Sequence, residues 1–287
     1  MFGKNCKTYK MWKAEWKRFN SVPYDLDVVN LGSSGDANNF DYDLWKIRGY
    51  NLASAPQDMY YDNQVLEQYR EHLKKGAKVI ICLSEFALLV DKYEADCQNY
   101  KYYGFMEPHR IPNYSRFKSF LIKQFPGVLD KRLLKMEFKE FLKKILKWDE
   151  RKKIDHKTML SERSVNAIKL WKEEFGWSDE IKLSHCQLQA IERSWEILMK
   201  DIEYCQEHDL QPLILIPPFN RHLMEKMPNE ILDECLWKYV RKAEDGGVRV
   251  ISFWDDKELQ ADELYLTLAC LNEEGKKLFN KKVQDTI

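Results

Sequence analysis

Residues 25–36 read Asp-Leu-Asp-Val-Val-Asn-Leu-Gly-Ser-Ser-Gly-Asp. The segment from Asp25 to Gly32 is short, apolar and closed by glycine, the pattern of a buried strand. The next residues are small and polar, with Ser33 and Ser34 between two glycines. A glycine at a strand end lets the backbone turn sharply. The turn lifts the next hydroxyl to the top of a sheet, beside a helix N-terminus with free N–H groups. A serine nucleophile gains from such surroundings. Small polar residues are also common loop material, so the tripeptide by itself names no chemistry.

Working outward, Tyr50–Ala53 reads as a second strand and Asn63–Lys75 as a helix stopped by Gly76. Ala77–Leu83 is a third strand, apolar along nearly its whole length. That composition fits a strand covered on both faces. Gln211–Phe219 reads as a fourth strand, ended by Pro217 and Pro218, and Val248–Trp254 as a fifth. Ser184 and Gln187 form a capping-box pair that opens a helix of about 25 residues. Pro228 opens another helix, which stops at Gly246 and Gly247, and a last one runs from about Asn272. Strands alternating with helices imply a mostly parallel sheet with right-handed crossovers. The expected fold class is therefore α/β: a flavodoxin-like three-layer α/β/α sandwich with a mostly parallel five-stranded sheet and a helical insertion. Ligands in such sheets bind beyond the carboxyl ends of the strands.

Two segments stand apart from that rhythm. Residues 1–22 are basic and aromatic, with Trp12, Trp16 and Phe19 at helical spacing. They read as a helix that packs its aromatic side on the domain, or one that binds an anionic membrane or partner. Residues 95–178 form the insertion within a domain spanning 23–287. Leu133, Leu134, Phe138, Phe141, Leu142 and Ile145 mark one helical face there. Between Lys131 and Lys153 ten Lys and Arg meet four acidic residues. The insertion reads as a cap that shapes access to a site, or as a solvated helix covering the core. Its basic surface and the N-terminus are the expected places for contact with an anionic surface.

Lys+Arg and Asp+Glu both number 46, so whole-chain charge selects no polyanionic partner and no nucleic acid is expected. Hydrophobic residues make up 44% of the chain, enough for a sizeable core. No stretch reaches the ~18 apolar residues that span a bilayer, and residues 1–19 have no apolar signal-peptide core. The seven cysteines are scattered and form no CxxC, which suits free thiols in a reducing cytoplasm. No nucleotide-binding glycine motif is present, so no cofactor is expected. His185, Cys186, Cys205 and His208 resemble a zinc set, but two pairs on one helix lie roughly 30 Å apart. No metal is expected from them.

The Gly32-Ser33-Ser34 turn after the first strand resembles the SGNH/GDSL hydrolase family. The nearest branches are the bacterial polysaccharide O-acetyltransferase and teichoic-acid D-alanylation types. Asn51-Leu52-Ala53-Ser54-Ala55-Pro56-Gln57 is similar to the second block, and Leu271-Asn272-Glu273-Glu274-Gly275 to the family's His-Leu-Asn-x-x-Gly ending. The resemblance implies Ser34 as nucleophile, with Ser33, Asn39, Ser54 and Ser84 around the oxyanion or pocket. It implies a carbohydrate or acyl-donor substrate. The chain departs from the pattern where the family carries Asp and His: those positions hold Thr267 and Cys270. Neither supplies the neutral imidazole that a serine needs as a base.

Other bases are weighed on position. His222 comes after the fourth strand on the ligand side of the sheet, and a surface histidine at a helix start reads the same way. His109 lies between two prolines of the insertion, and His72 and His156 sit in charged surroundings. Asp255, Asp256 and Asp262 come after the fifth strand and can orient a base or line a solvated loop. Cys270 is a buried thiol or a thiolate favoured by the last helix. Two functions stay open. One is a serine esterase or O-acyltransferase with Ser34 as nucleophile and His222 as base, acting on a carbohydrate or cell-envelope glycan. The other is a catalytically inactive SGNH-fold binding or scaffold protein.

Overall fold

The computed structural model describes residues 3–91, 99–145, 155–177 and 182–287. Cys97 and the basic run 151–153 lie outside the described residues. In chain order the first elements are α1 (Lys7–Phe19), β1 (Leu26–Leu31), α2 (Ser34–Asn39), β2 (Gly49–Asn51), α3 (Met59–Tyr69) and β3 (Leu73–Cys82). Then come α4 (Arg116–Gln124), α5 (Pro126–Leu129), α6 (Lys131–Ile145), α7 (His156–Phe175) and α8 (His185–Glu207). The last are β4 (Gln211–Ile216), α9 (Arg221–Met224), α10 (Asn229–Leu232), α11 (Lys238–Asp245), β5 (Val250–Ser252) and α12 (Glu273–Thr286). The chain forms two compact units. One holds the described residues of 1–22 and 92–153, the other those of 23–91 and 154–287.

In the larger unit five parallel strands lie in the order β2-β1-β3-β4-β5. This is the flavodoxin-like order, whose switch point lies between β1 and β3. Alternate residues of each strand face opposite layers. On one side Val28, Ile80, Leu213, Leu215 and Ile251 pack with Phe40, Phe253, Phe279 and Val283. The other side meets α8, which packs on β4 and on α3. Both faces are covered, which is why the strands read as apolar runs rather than alternating ones.

Several boundaries differ from expectation. The helix expected over 63–75 is α3, which ends at Tyr69, and Leu73 already belongs to β3. His72 draws the chain away: its ring stacks on Tyr24 at 3.9 Å and its Nδ1 meets the Pro23 carbonyl oxygen at 3.1 Å. Gly76, at φ +79°, sits in β3 and donates its amide to the Asp209 carbonyl. The fifth strand is only Val250–Ser252. The expected insertion is divided: α7 belongs to the sheet unit, where Leu160 joins the core and Trp171 and Phe175 pack against the Phe86 ring.

The smaller unit explains the aromatic spacing at the N-terminus. Tyr9, Trp12, Trp16 and Phe19 of α1 are all buried. The Tyr9 ring meets Trp12 and Trp16 edge-on, and Phe19 stacks on Phe105 at 4.1 Å. Gly104 gives the indole of Trp16 its room: a Cβ there would stand 2.0 Å from the ring. The N-terminal helix is thus packed against residues of the insertion rather than standing alone.

Gly275 shows why the Leu-Asn-x-x-Gly ending needs its glycine. Asn272 caps α12, its side chain accepting from the amides of Glu274 and Gly275. A Cβ on Gly275 would lie 2.5 Å from the Leu264 carbonyl oxygen. A Gly275→Ala variant is expected to lose about 1–3 kcal/mol of stability through this overpacking. Urea unfolding reads the loss, and an unchanged midpoint contradicts the steric account.

Candidate active site

β1 ends at Leu31, and Gly32 takes φ +136°, a conformation that favours glycine. Space enforces the same choice. A Cβ on Gly32 would lie 2.5 Å from the Asp36 carboxylate and 2.9 Å from Cys82 Cβ. The amide of Gly32 donates to Asp62 Oδ1 at 2.9 Å, and Gln57 Nε2 donates to the same oxygen at 2.6 Å. Ser33 donates its amide to Asp36 Oδ2 at 2.9 Å, and its hydroxyl oxygen accepts from the Gln57 amide at 3.2 Å. The serine turn is therefore clamped from α2 on one side and from Gln57 and Asp62 on the other. Ser34 begins α2. Its hydroxyl has no hydrogen-bond partner among the described residues.

Three carboxyl groups lie buried beneath this turn: Asp36, Asp62 and Glu85. Burial pushes the Asp36 carboxyl up to about 6, against hydrogen bonds that favour its charge. Burial likewise raises Asp62 to about 7, with the charges of Asp58 and Asp36 adding to it. Glu85 reaches about 7 through burial and the nearby Asp36. One oxygen of each group has no hydrogen-bond partner among the described residues. The thiol of Cys82, in the same pocket, is also pushed up by burial. Three acids in one low-dielectric space cannot all ionise near neutral pH.

The groups expected around an oxyanion are largely occupied. The Ser33 amide is spent on Asp36, and the Ser54 amide donates to the Gly32 carbonyl at 3.2 Å. Asn39 is buried; its Nδ2 donates to the Ala269 carbonyl at 2.9 Å, and its Oδ1 accepts from the Leu271 amide at 2.8 Å. It clamps the segment after β5 onto α2 instead of facing a ligand. Ser84 is half-buried just beyond the end of β3. Thr267 and Cys270 bond to each other: the Cys270 amide donates to Thr267 Oγ1 at 3.2 Å, and the Thr267 amide to the Cys270 carbonyl. They close a tight turn.

That turn ties α2 to His222. The Asn220 amide donates to the Leu268 carbonyl at 3.0 Å. Asn220 Nδ2 then donates to Asp262 Oδ1 at 2.9 Å. Asp262 Oδ2 lies 3.2 Å from His222 Nε2 and 2.9 Å from Arg221. Burial alone would raise the Asp262 carboxyl. The hydrogen bonds from Asn220 and Arg221 and the charges of His222 and Arg221 outweigh it and hold the group below its ordinary range. His222 itself is mostly shielded, its side chain 13% exposed.

The remaining histidines stand elsewhere. His109 is exposed in the smaller unit, 3.7 Å from Glu107, and His156 is exposed at the start of α7. The zinc-like residues stand at opposite ends of α8, with His208 bonded to the Tyr204 carbonyl. Among the described residues the six cysteines are free thiols, and no set of three metal-ligating side chains is gathered. No helix of the described residues is long and apolar enough to cross a membrane. None of Gln57, Asp62 and Glu85 stands out in the sequence as a site residue, although Gln57 closes the second block. The Ser33–Asp36 spacing is a capping signal, whereas nothing local marks Asp62 or Glu85 as partners of the turn.

The raised Asp62 fixes the sign of a pH effect. An acid bound more tightly to its proton in the folded chain stabilises fully below its unfolded value and loses that contribution as pH rises through about 7. Asp62→Asn keeps an oxygen for Gly32 and Gln57 but cannot ionise. The fall in melting temperature between about pH 5 and pH 8 is expected to shrink in this variant. An unchanged fall contradicts a buried, proton-holding Asp62.

No family model matches the chain, and no curated protein does. Among solved structures the chain is similar to one from Streptococcus pneumonia named for platelet activating factor. That likeness has 11% identity and a TM-score of 0.44, covering 96% of this chain and 91% of the other.

Proposed function

We propose that the chain is a serine-dependent acyl-transfer enzyme, an esterase or O-acyltransferase, with Ser34 as nucleophile. The observation that carries this reading is the His222–Asp262 pair, 3.2 Å apart, on the ligand side of the sheet. A histidine with an orienting carboxylate is what Ser34 lacks at the Thr267 and Cys270 positions. Asp262 holds His222 at Nε2, leaving Nδ1 to take the proton from the Ser34 hydroxyl. The serine oxygen then attacks the acyl carbonyl, and the ionised Asp262 stabilises the imidazolium that results. Collapse of the tetrahedral adduct expels the alkoxide, which takes the proton back from His222. Water or a sugar hydroxyl resolves the acyl-enzyme by the reverse steps. The Ser34 hydroxyl has no hydrogen-bond partner among the described residues, and contacts of this kind tighten once substrate fills a site. The substrate class that goes with this reading is an acylated carbohydrate.

A second reading rests on the Thr267–Cys270 turn and the occupied amides of Ser33 and Ser54. Groups that would serve an active site are engaged in holding the loops together. The chain is then a binding module built on the same frame.

Turnover of p-nitrophenyl acetate separates the two. Ser34→Ala is expected to abolish turnover above background, and His222→Gln to lower it about a hundredfold or more. Equal turnover by folded Ser34→Ala and the unaltered chain contradicts the enzyme reading.

A further inference from the structure

The helices of the insertion turn large apolar side chains outward. In α4, Ser119 and Ile122 are buried, while Phe117 is 69% and Phe120 54% exposed. Val128 of α5, which packs between α4 and α6, is exposed too. In α6, Leu133 and Glu137 are buried against the same unit. Leu134, Phe138, Phe141 and Leu142 are exposed. Their spacing of i, i+4, i+7 and i+8 places them on one stripe of the helix. Phe and Leu side chains exposed along one stripe mark an interaction surface rather than ordinary solvent exposure.

The charges around the stripe are mostly positive. Residues 116–145 contain nine Lys and Arg and three acidic residues. All three acids are engaged within the unit. Glu137 accepts from the Gly3 amide at 2.7 Å and from Asn5 at 2.8 Å. Glu140 accepts from the Lys7 amide at 3.0 Å, and Asp130 pairs with Arg132 at 2.8 Å. Lys131, Lys135 and Lys139 stay exposed, and their i, i+4, i+8 spacing lays them along one edge of the apolar stripe.

We propose that this stripe of α6 docks on an anionic lipid surface. The Phe and Leu side chains enter the boundary between headgroups and acyl chains, and the lysine row lies among the phosphates. Apolar residues on one side and lysines beside them are the composition of an interfacial helix. Lysine stems can lie along the apolar layer while their ammonium groups reach the headgroups. A second copy of the chain fits less well, because a two-fold contact through this face brings together two surfaces of the same positive sign.

The test is cosedimentation of the full chain with two kinds of vesicle: phosphatidylcholine alone, and phosphatidylcholine mixed with phosphatidylglycerol. Binding is expected to the anionic vesicles only and to weaken as salt is added. Phe138→Ser with Phe141→Ser is expected to abolish it without lowering the melting temperature, since both side chains are exposed. Lys135→Gln and Lys139→Gln are each expected to weaken it about fivefold. Absence of binding to anionic vesicles at low salt overturns the proposal. So does binding that survives the double Phe variant. A concentration-dependent dimer in light scattering that the double variant abolishes would overturn it too, by assigning the face to a second copy.

Discussion

The geometry of the candidate site depends on one buried carboxyl. Asp62 accepts from the Gly32 amide and from Gln57, and Gln57 in turn reaches Ser33. This fixes the backbone at the point where β1 gives way to α2. The cost is a carboxyl with no cation beside it among the described residues, which is tolerable because burial favours its neutral form. The nearby charges of Asp58 and Asp36 raise the cost further. Asp36, Asp62 and Glu85 also each keep one carboxyl oxygen without a hydrogen-bond partner among the described residues, a cost that packing does not recover.

A second constraint acts from the far edge of the sheet. The segment after β5 must run back over α2, and Asn38, Asn39 and Gly35 receive it. Asn38 donates to the Leu271 carbonyl at 3.0 Å, and Gly35 lies where a Cβ would be 3.1 Å from the Ala269 carbonyl oxygen. The same segment holds Asn220 and, through it, Asp262 and His222. Serine and histidine therefore sit on two short helices tied to one turn, so small shifts of that turn alter their relation. The pairing of Thr267 with Cys270 sets how the turn is closed.

The strands were legible because both sheet faces are covered. Residues 79–82 and 213–216 are apolar without interruption, and no other element class suits runs so short and so bounded. The ligand side of the sheet came from parallel topology. The end of α3 was not legible, because His72 stacks on Tyr24 from a distant part of the chain. The division of the insertion was also hidden: Leu160 looks like any amphipathic leucine until the core it enters is known. Ser34 and His222 could be singled out from position, and Asp262 as one of three acids. Asp62 and Glu85 could not, since a buried carboxyl is identified only by what surrounds it. The exposed stripe of α6 had the look of a core-facing helix in sequence, and burial alone distinguishes the two.

The most direct measurement of whether Ser34 is activated is intact-mass analysis after treatment with a fluorophosphonate, with the adduct mapped by peptide sequencing. The account predicts a single adduct on Ser34, absent in Ser34→Ala and formed more slowly in Asp262→Asn. A folded chain that acquires no adduct, or one that labels equally well without Ser34, would contradict it.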